Sequence, residues 1–194
     1  IERIYVHESV YNEFLEKSIV RVNSHRLGNP LDPDITLGPM ASPRLAKLVR
    51  KQISTAIEKG ATPHIERFAK DDGEAYLSPQ ILTNVNHEMD IMREENFGPV
   101  VGVMPVNDDV EAIRMMNDSH YGLTASLWTG NLKRAEQIGK RVETGTVFMN
   151  RADYLDPALC WTGCKDTGRS GALSTIGYQN LTRPKSFHLK KLMS

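Results

Sequence analysis

A chain of 194 residues with 40% hydrophobic side chains is long enough to bury one sizeable core and reads as one domain. Lysine plus arginine and aspartate plus glutamate both number 24, so the formal net charge is zero and no basic excess argues for nucleic acid or an anionic membrane surface as partner. The longest apolar run, Pro99 to Val106, falls far short of a membrane span and no charged-then-apolar leader opens the chain, which reads as soluble and cytoplasmic.

The chain begins with Ile1 rather than Met and runs directly into Glu2 to His7, which alternates polar and apolar residues as a strand does; it reads as cut from something longer. Ser9 is placed to cap a helix carrying Val10, Phe14, Leu15, Ile19 and Val22, with Leu27-Gly28-Asn29-Pro30 as its end. After a loop rich in Asp and Pro, Ser42-Pro43 announces a second helix with Leu45, Leu48, Val49, Ile53, Ala56 and Ile57 on its apolar face and Gly60 as C-terminal cap. Strand-like pieces follow at His64 to Phe68, Tyr76 to Val85 and Val100 to Val106, with a turn at Lys70 to Glu74. From there the rhythm is regular: helix at Asp108 to Asp118, strand at Leu123 to Thr129, helix at Asn131 to Arg141, and a short buried strand at Thr146 to Asn150. Such alternation predicts an α/β fold with a largely parallel sheet flanked by helices, in which ligands gather beyond the carboxyl ends of strands.

Glu94-Glu95-Asn96-Phe97-Gly98-Pro99 sets a carboxylate and an aromatic ring two residues apart where the backbone changes direction. A carboxylate accepts hydrogen bonds from both hydroxyls of a ribose diol and a flat ring packs on a heterocycle, so the pair suits a nucleoside. Taken alone, the segment also reads as a solvated acidic turn leading into a strand. The loop Arg151 to Arg169 is too long to be a simple connector, and its aromatic and aliphatic residues need something to pack on. It either folds over the core with Trp161 as its anchor or lines a pocket. Gly163 to Ser170 matches phosphate-loop spacing except that Arg169 replaces the lysine, and no strand leads in, so that reading is set aside. Cys160 and Cys164, spaced C-x3-C without a second ligand pair, read as reduced, buried thiols. The six histidines show no metal-binding spacing, and no metal site is expected.

Together, Ile1 to His7, Gly28-Asn29-Pro30, Gly38-Pro39, Glu94 to Pro99, Tyr121 to Ala125, Gly145 to Asn150 and Lys165 to Gly168 resemble the NAD(P)-dependent aldehyde dehydrogenase superfamily, in the family's order and at similar spacing over nearly the whole chain. The resemblance implies that Glu95 holds the nicotinamide ribose and Phe97 packs beside the nicotinamide of NAD or NADP. It further implies that Arg151, Asp153, Leu155 and Trp161 line the tunnel for a small-molecule aldehyde, and that Lys165 and Gly168 form the family's closing turn. Residues 1–183 then correspond to most of a catalytic domain and 184–194 to an oligomerisation strand and tail, with 184–192 joining a homo-oligomer. One face of that strand would carry Phe187 and Leu189.

Departures from the family pattern shape the expected chemistry. Cys160-Trp161-Thr162-Gly163 stands where the family usually has Pro-Phe-Gly-Gly, which alters the tunnel. The Gly-Gln-x-Cys nucleophile motif, the glutamate base and the nucleotide-binding domain implied by the resemblance are absent from these residues, so no catalytic residue is assigned and the chain alone is expected to be inactive. The family mechanism is thiolate attack on the aldehyde, hydride transfer to the nicotinamide and hydrolysis of a thioester. The competing expectation is a stand-alone, non-catalytic binding or assembly module built on the same fold. Which aldehyde is oxidised, and whether NAD or NADP is used, is not written in these residues.

Overall fold

In the computed structural model, which describes residues 1–66, 75–152 and 154–191, the chain divides into two units, Ile1–Asp118 and Ser119–Ser194. The first is built on strands β1 (Arg3–His7), β2 (Thr62–Pro63), β3 (Gln80–Thr83) and β4 (Val100–Val106), in the order β1-β4-β3-β2. β4 pairs in parallel with β1, Ile4 opposite Val103, and with β3, Ile81 opposite Val101. The edge strand β2 runs antiparallel to β3, so the sheet is mixed, and Pro63, which lacks an N–H, sits where an edge tolerates it.

Side chains alternate across β4 as strand geometry requires. Val100 and Met104 face a core made by helix α2 (Pro43–Glu58), the short helix α3 (Asp90–Arg93) and Leu82 of β3. Val101 and Val103 face the other side, where Val6, Ile81 and helix α1 (Glu8–Asn23) pack. α2 forms as the sequence reading expects: Ser42 Oγ accepts the Leu45 N–H, Pro43 occupies the first turn, and Gly60 adopts φ +102° just past the end. Val49, Ile53 and Ala56 are buried, while Leu48 and Ile57 remain on the flank.

Several expectations are corrected here. α1 is capped by His7, whose Nδ1 accepts the Ser9 N–H, and not by Ser9. It packs with Tyr11, Phe14, Leu15, Ile19 and Val22, leaving Val10 half exposed, and it ends at Asn23, ahead of Gly28. The strand expected from His64 is displaced to Thr62–Pro63: His64 N–H still reaches Ile81 O at 3.1 Å, but at Ile65 the buried Gln80 side chain takes over, its Oε1 accepting the Ile65 N–H and its Nε2 donating to Ile65 O. Phe68 and the turn Lys70 to Glu74 lie outside the described residues. The strand expected over Tyr76 to Val85 is confined to Gln80–Thr83, ended by Asn84 at φ +53°. Helix α4 (Asp109–Asn117) follows β4 with Asp108 as its cap.

A polar cluster ties β1 to the end of α4. Arg3 donates to the carbonyls of Met116 and Asp118, Tyr5 and His87 share a hydrogen bond at 2.8 Å, and His87 Nδ1 donates to Asp118 Oδ2 at 2.6 Å. The His87 hydrogen bond holds the Asp118 carboxyl below its usual range, and burial pushes the Tyr5 phenol up to about 12. Because Tyr5 ionises more readily in the unfolded chain, its contribution to stability is full below pH 10 and is lost as pH rises toward about 12. Tyr5→Phe should therefore flatten the alkaline fall in unfolding free energy measured by urea titration. An alkaline limb identical to wild type contradicts this.

The second unit pairs β5 (Tyr121–Gly122) antiparallel with β8 (Cys164–Lys165), and β6 (Thr124–Leu127) in parallel with β7 (Thr146–Met149). Helix α5 (Leu132–Gly139) is capped by Asn131, whose Oδ1 accepts the Arg134 N–H. β7 is less buried than expected, with Phe148 inside and Val147 38% exposed. Helix α6 (Ser174–Leu181), unforeseen in the sequence, buries no residue. The expected C-terminal strand has no ladder: described residues 183–191 carry no regular structure, and Phe187 and Leu189 are exposed. No helix among the described residues is long and apolar enough to cross a membrane.

Candidate functional site

The segment after α3 carries the sequence-predicted pair Glu95 and Phe97. Glu94 returns the backbone to an extended conformation (φ −97°, ψ 148°), and its N–H closes the short helix on Asp90 O at 2.8 Å. In extended backbone residues two apart share a side, so Glu95 and Phe97 turn outward together while Asn96 turns inward. Phe97 is 73% exposed and Asn96 only 2%. Asn96 N–H donates to Glu2 Oε1 at 3.1 Å, and Gln52 Nε2 of α2 reaches the Glu95 carbonyl at 3.4 Å. Gly98 is needed for close approach, since a Cβ there would lie 2.8 Å from Val49 Cγ2 and push the loop off α2. Beyond it, Pro99 O accepts the Gln80 N–H at 2.8 Å, fastening the loop to β3.

Asn96 Nδ2 and Gln52 Oε1 are buried without partners among the described residues. Each such atom costs about 1–3 kcal/mol, so this loop is held in a conformation that its own polar side chains do not favour. The outcome is a solvent-facing carboxylate with two free acceptor oxygens beside an unpacked aromatic ring. That pairing meets the chemical demand of a ribose diol joined to a flat heterocycle, and the residues present fit a dinucleotide cofactor.

In the second unit, Asn150 ends β7 at φ +53° and exchanges two hydrogen bonds of 2.9 Å with the backbone of Thr129. Past it, Arg151 is exposed with its guanidinium 3.7 Å from the Tyr154 ring centroid, and its carbonyl accepts from Ser126 Oγ. Tyr154 was not singled out in the sequence, although an Arg three residues from a Tyr in a loop carries that cation–π signal. Leu155 is 60% exposed, and Asp153 lies outside the described residues. Trp161 is half-buried and its backbone exchanges hydrogen bonds of 2.8 and 2.9 Å with Ala172, which ties the loop down at this point while Arg151 and Leu155 face outward.

Both thiols are free and half-buried rather than buried as expected, and Cys164 sits against backbone carbonyls. Cys164 Sγ donates to Glu143 O at 2.9 Å and lies 3.4 Å from Gly122 O, while the neighbouring Lys165 turns to Glu143 Oε2 and Ser119 O and not to the sulfur. Lys165 and Gly168 make a tight turn closed by a Gly168 N–H to Lys165 O bond of 3.1 Å, which is not a phosphate loop because no helix follows directly. At Gly145 a Cβ would collide with the Thr162 carbonyl, so this glycine lets the loop lie against the start of β7. No group of three His, Cys, Asp or Glu among the described residues is arranged to hold a metal ion.

The aldehyde dehydrogenase family model matches residues 1–187. The chain belongs to the aldehyde dehydrogenase family. It is 37% identical over 169 residues to a 3-sulfolactaldehyde dehydrogenase of Priestia megaterium, covering 87% of this chain and 35% of that protein. A benzaldehyde dehydrogenase of Bacillus subtilis is 36% identical over 86% of this chain and 34% of its own. Among solved structures, a betaine aldehyde dehydrogenase of Staphylococcus aureus in complex with NAD+ superposes with a TM-score of 0.86 at 30% identity, over 92% of this chain and 36% of that one. A succinic semialdehyde dehydrogenase of Streptococcus pyogenes in complex with NADP+ gives 0.86 at 31% identity, over 91% and 39%. The chain thus spans about a third of the length of these curated aldehyde dehydrogenases.

Proposed function

We propose that this chain is part of an NAD(P)-dependent aldehyde dehydrogenase that oxidises an aldehyde to a carboxylic acid through a cysteine thioester, and that its own contribution is to seat the nicotinamide end of the cofactor. The observation that carries this reading is the outward pairing of Glu95 and Phe97 across a buried Asn96. Glu95 accepts hydrogen bonds from the ribose hydroxyls, and Phe97 gives the heterocycle a surface to pack on. Bound NAD or NADP supplies the hydride acceptor. Hydride transfer tolerates little misplacement, so these two residues act by orientation and move no proton. The likeness to enzymes solved with NAD+ and with NADP+ supports both cofactors equally.

Arg151, Asp153, Leu155 and Trp161 are assigned to the aldehyde passage, which the outward placement of Arg151 and Leu155 supports. Residues 1–183 are assigned to most of that enzyme's catalytic domain. The nucleophile is not among these 194 residues, which lack Gly-Gln-x-Cys, and the surroundings of Cys164 support its reading as a structural thiol. The purified 194-residue polypeptide should accordingly form no NADH or NADPH with any aldehyde, by absorbance assay. Steady turnover abolished by Cys160→Ser or Cys164→Ser would overturn the assignment. Two reduced cysteines suit a cytoplasmic enzyme.

The exposed Phe187 and Leu189 support docking of residues 184–192 on another subunit, in a homo-oligomer. Deleting everything after Arg183 from the full-length enzyme should lower its mass by light scattering. An unchanged subunit number would place the tail against its own subunit.

A further inference from the structure

Asn96 is the pivot between Glu95 and Phe97, and its backbone N–H is held by a side chain from the far end of the unit. Glu2 Oε1 accepts that N–H across 94 residues of sequence. Asn96 is buried, so solvent does not take over the N–H if the bond is lost. The loop has weak support otherwise at this point: the Gln52 bond to the Glu95 carbonyl is long at 3.4 Å, and the side-chain Nδ2 of Asn96 and Oε1 of Gln52 find no partners among the described residues. A carboxylate is a stronger acceptor than an amide or carbonyl oxygen, which makes the Glu2 bond the firmest of these contacts. Its base is rigid as well. Arg3, the next residue, pairs in register with Gly102 of β4 and anchors its guanidinium on Met116 O and Asp118 O at 3.2 and 3.0 Å.

We infer that Glu2 is a positioning residue for the cofactor, holding the Asn96 amide so that the Glu95 carboxylate and the Phe97 ring stay on one side of the loop at a fixed separation. The inference rests on the cofactor role proposed for Glu95 and Phe97. Glu2 does not touch the cofactor; it acts through the backbone of Asn96.

The test uses the full-length enzyme with Glu2→Ala and Glu2→Gln. Hydrogen exchange of the peptide containing Asn96 is followed in the apoenzyme, and dissociation constants for NAD and NADP are measured by fluorescence titration. Glu2→Ala should speed exchange at Asn96 and weaken cofactor binding, each by about tenfold, and slow hydride transfer in the same direction as Glu95→Ala but by less. Glu2→Gln, which keeps an acceptor oxygen, should recover most of both effects. Peptides from α2 and β3 should exchange as in wild type, which separates loop loosening from general destabilisation. If the alanine variant does not fold, Glu2→Asp, whose carboxylate is withdrawn by one methylene, is put to the same measurements. Unchanged exchange at Asn96, or faster exchange with wild-type cofactor affinity, overturns the inference. Should Glu95→Ala leave both cofactor affinity and hydride transfer untouched, it is the cofactor reading itself that fails, a result independent of the exchange at Asn96.

Discussion

Glu95→Ala in the full-length enzyme should slow hydride transfer about a hundredfold, the order of loss that a misplacement near 1 Å brings to a reaction depending on alignment. The carboxylate presents two acceptor oxygens on a loop whose inward face is fixed, so removing it frees the nicotinamide end to rotate while the rest of the cofactor stays bound. Single-turnover kinetics separate the steps: attack of the thiol on the aldehyde should be little changed, and the reduced cofactor should appear slowly. Glu95→Gln should fall between, since an amide oxygen still accepts but more weakly than a carboxylate. Wild-type hydride transfer and affinity in both variants would remove Glu95 from the site.

The largest effect on stability is expected at Leu82. It lies in β3 with no exposed surface and packs among Val49, Ile53, Met92 and Val100, so Leu82→Ala deletes buried carbon and leaves a cavity between two helices and the sheet. A loss of about 2–5 kcal/mol follows from such truncations. Leu31→Ala, at a site 90% exposed, should change stability by less than about 0.5 kcal/mol. Urea unfolding of the two variants checks the contrast, and equal losses would contradict the burial assigned to β3.

Elements with local chemistry at their ends were legible in the sequence. Ser42-Pro43 and Gly60 bracket α2, Asp108 opens α4 and Asn131 opens α5, each through a bond between residues three or fewer apart. β4 matches its expected bounds because its apolar run is continuous, as a strand buried on both faces must be. What escaped depends on distant partners or lacks periodicity. α3 is one turn long, too short for a helical period to register, and α6 buries nothing, so no apolar stripe marks it. The strand expected from His64 gives way at Ile65 to the Gln80 side chain, 15 residues on, a substitution for backbone pairing that no local pattern announces.

The site divides in the same way. Glu95 and Phe97 could be read because their spacing of two is itself the geometry that turns both outward. Glu2 and Gln52 could not, because they reach the loop across 94 and 43 residues and only the packing of β1 and α2 brings them there. In the tail, alternation in Lys185 to Lys190 gives one side to Phe187 and Leu189, but the pairing expected for it is with another subunit, and a local pattern carries no trace of that edge.

The most direct measurement is a structure of the full-length enzyme with NAD or NADP bound. The account predicts the Glu95 carboxylate within about 2.5–3.0 Å of the nicotinamide ribose hydroxyls, with the Phe97 ring packed beside the nicotinamide and Asn96 still turned inward. A bound cofactor whose nicotinamide ribose lies away from Glu95, with both side chains left in solvent, would contradict it.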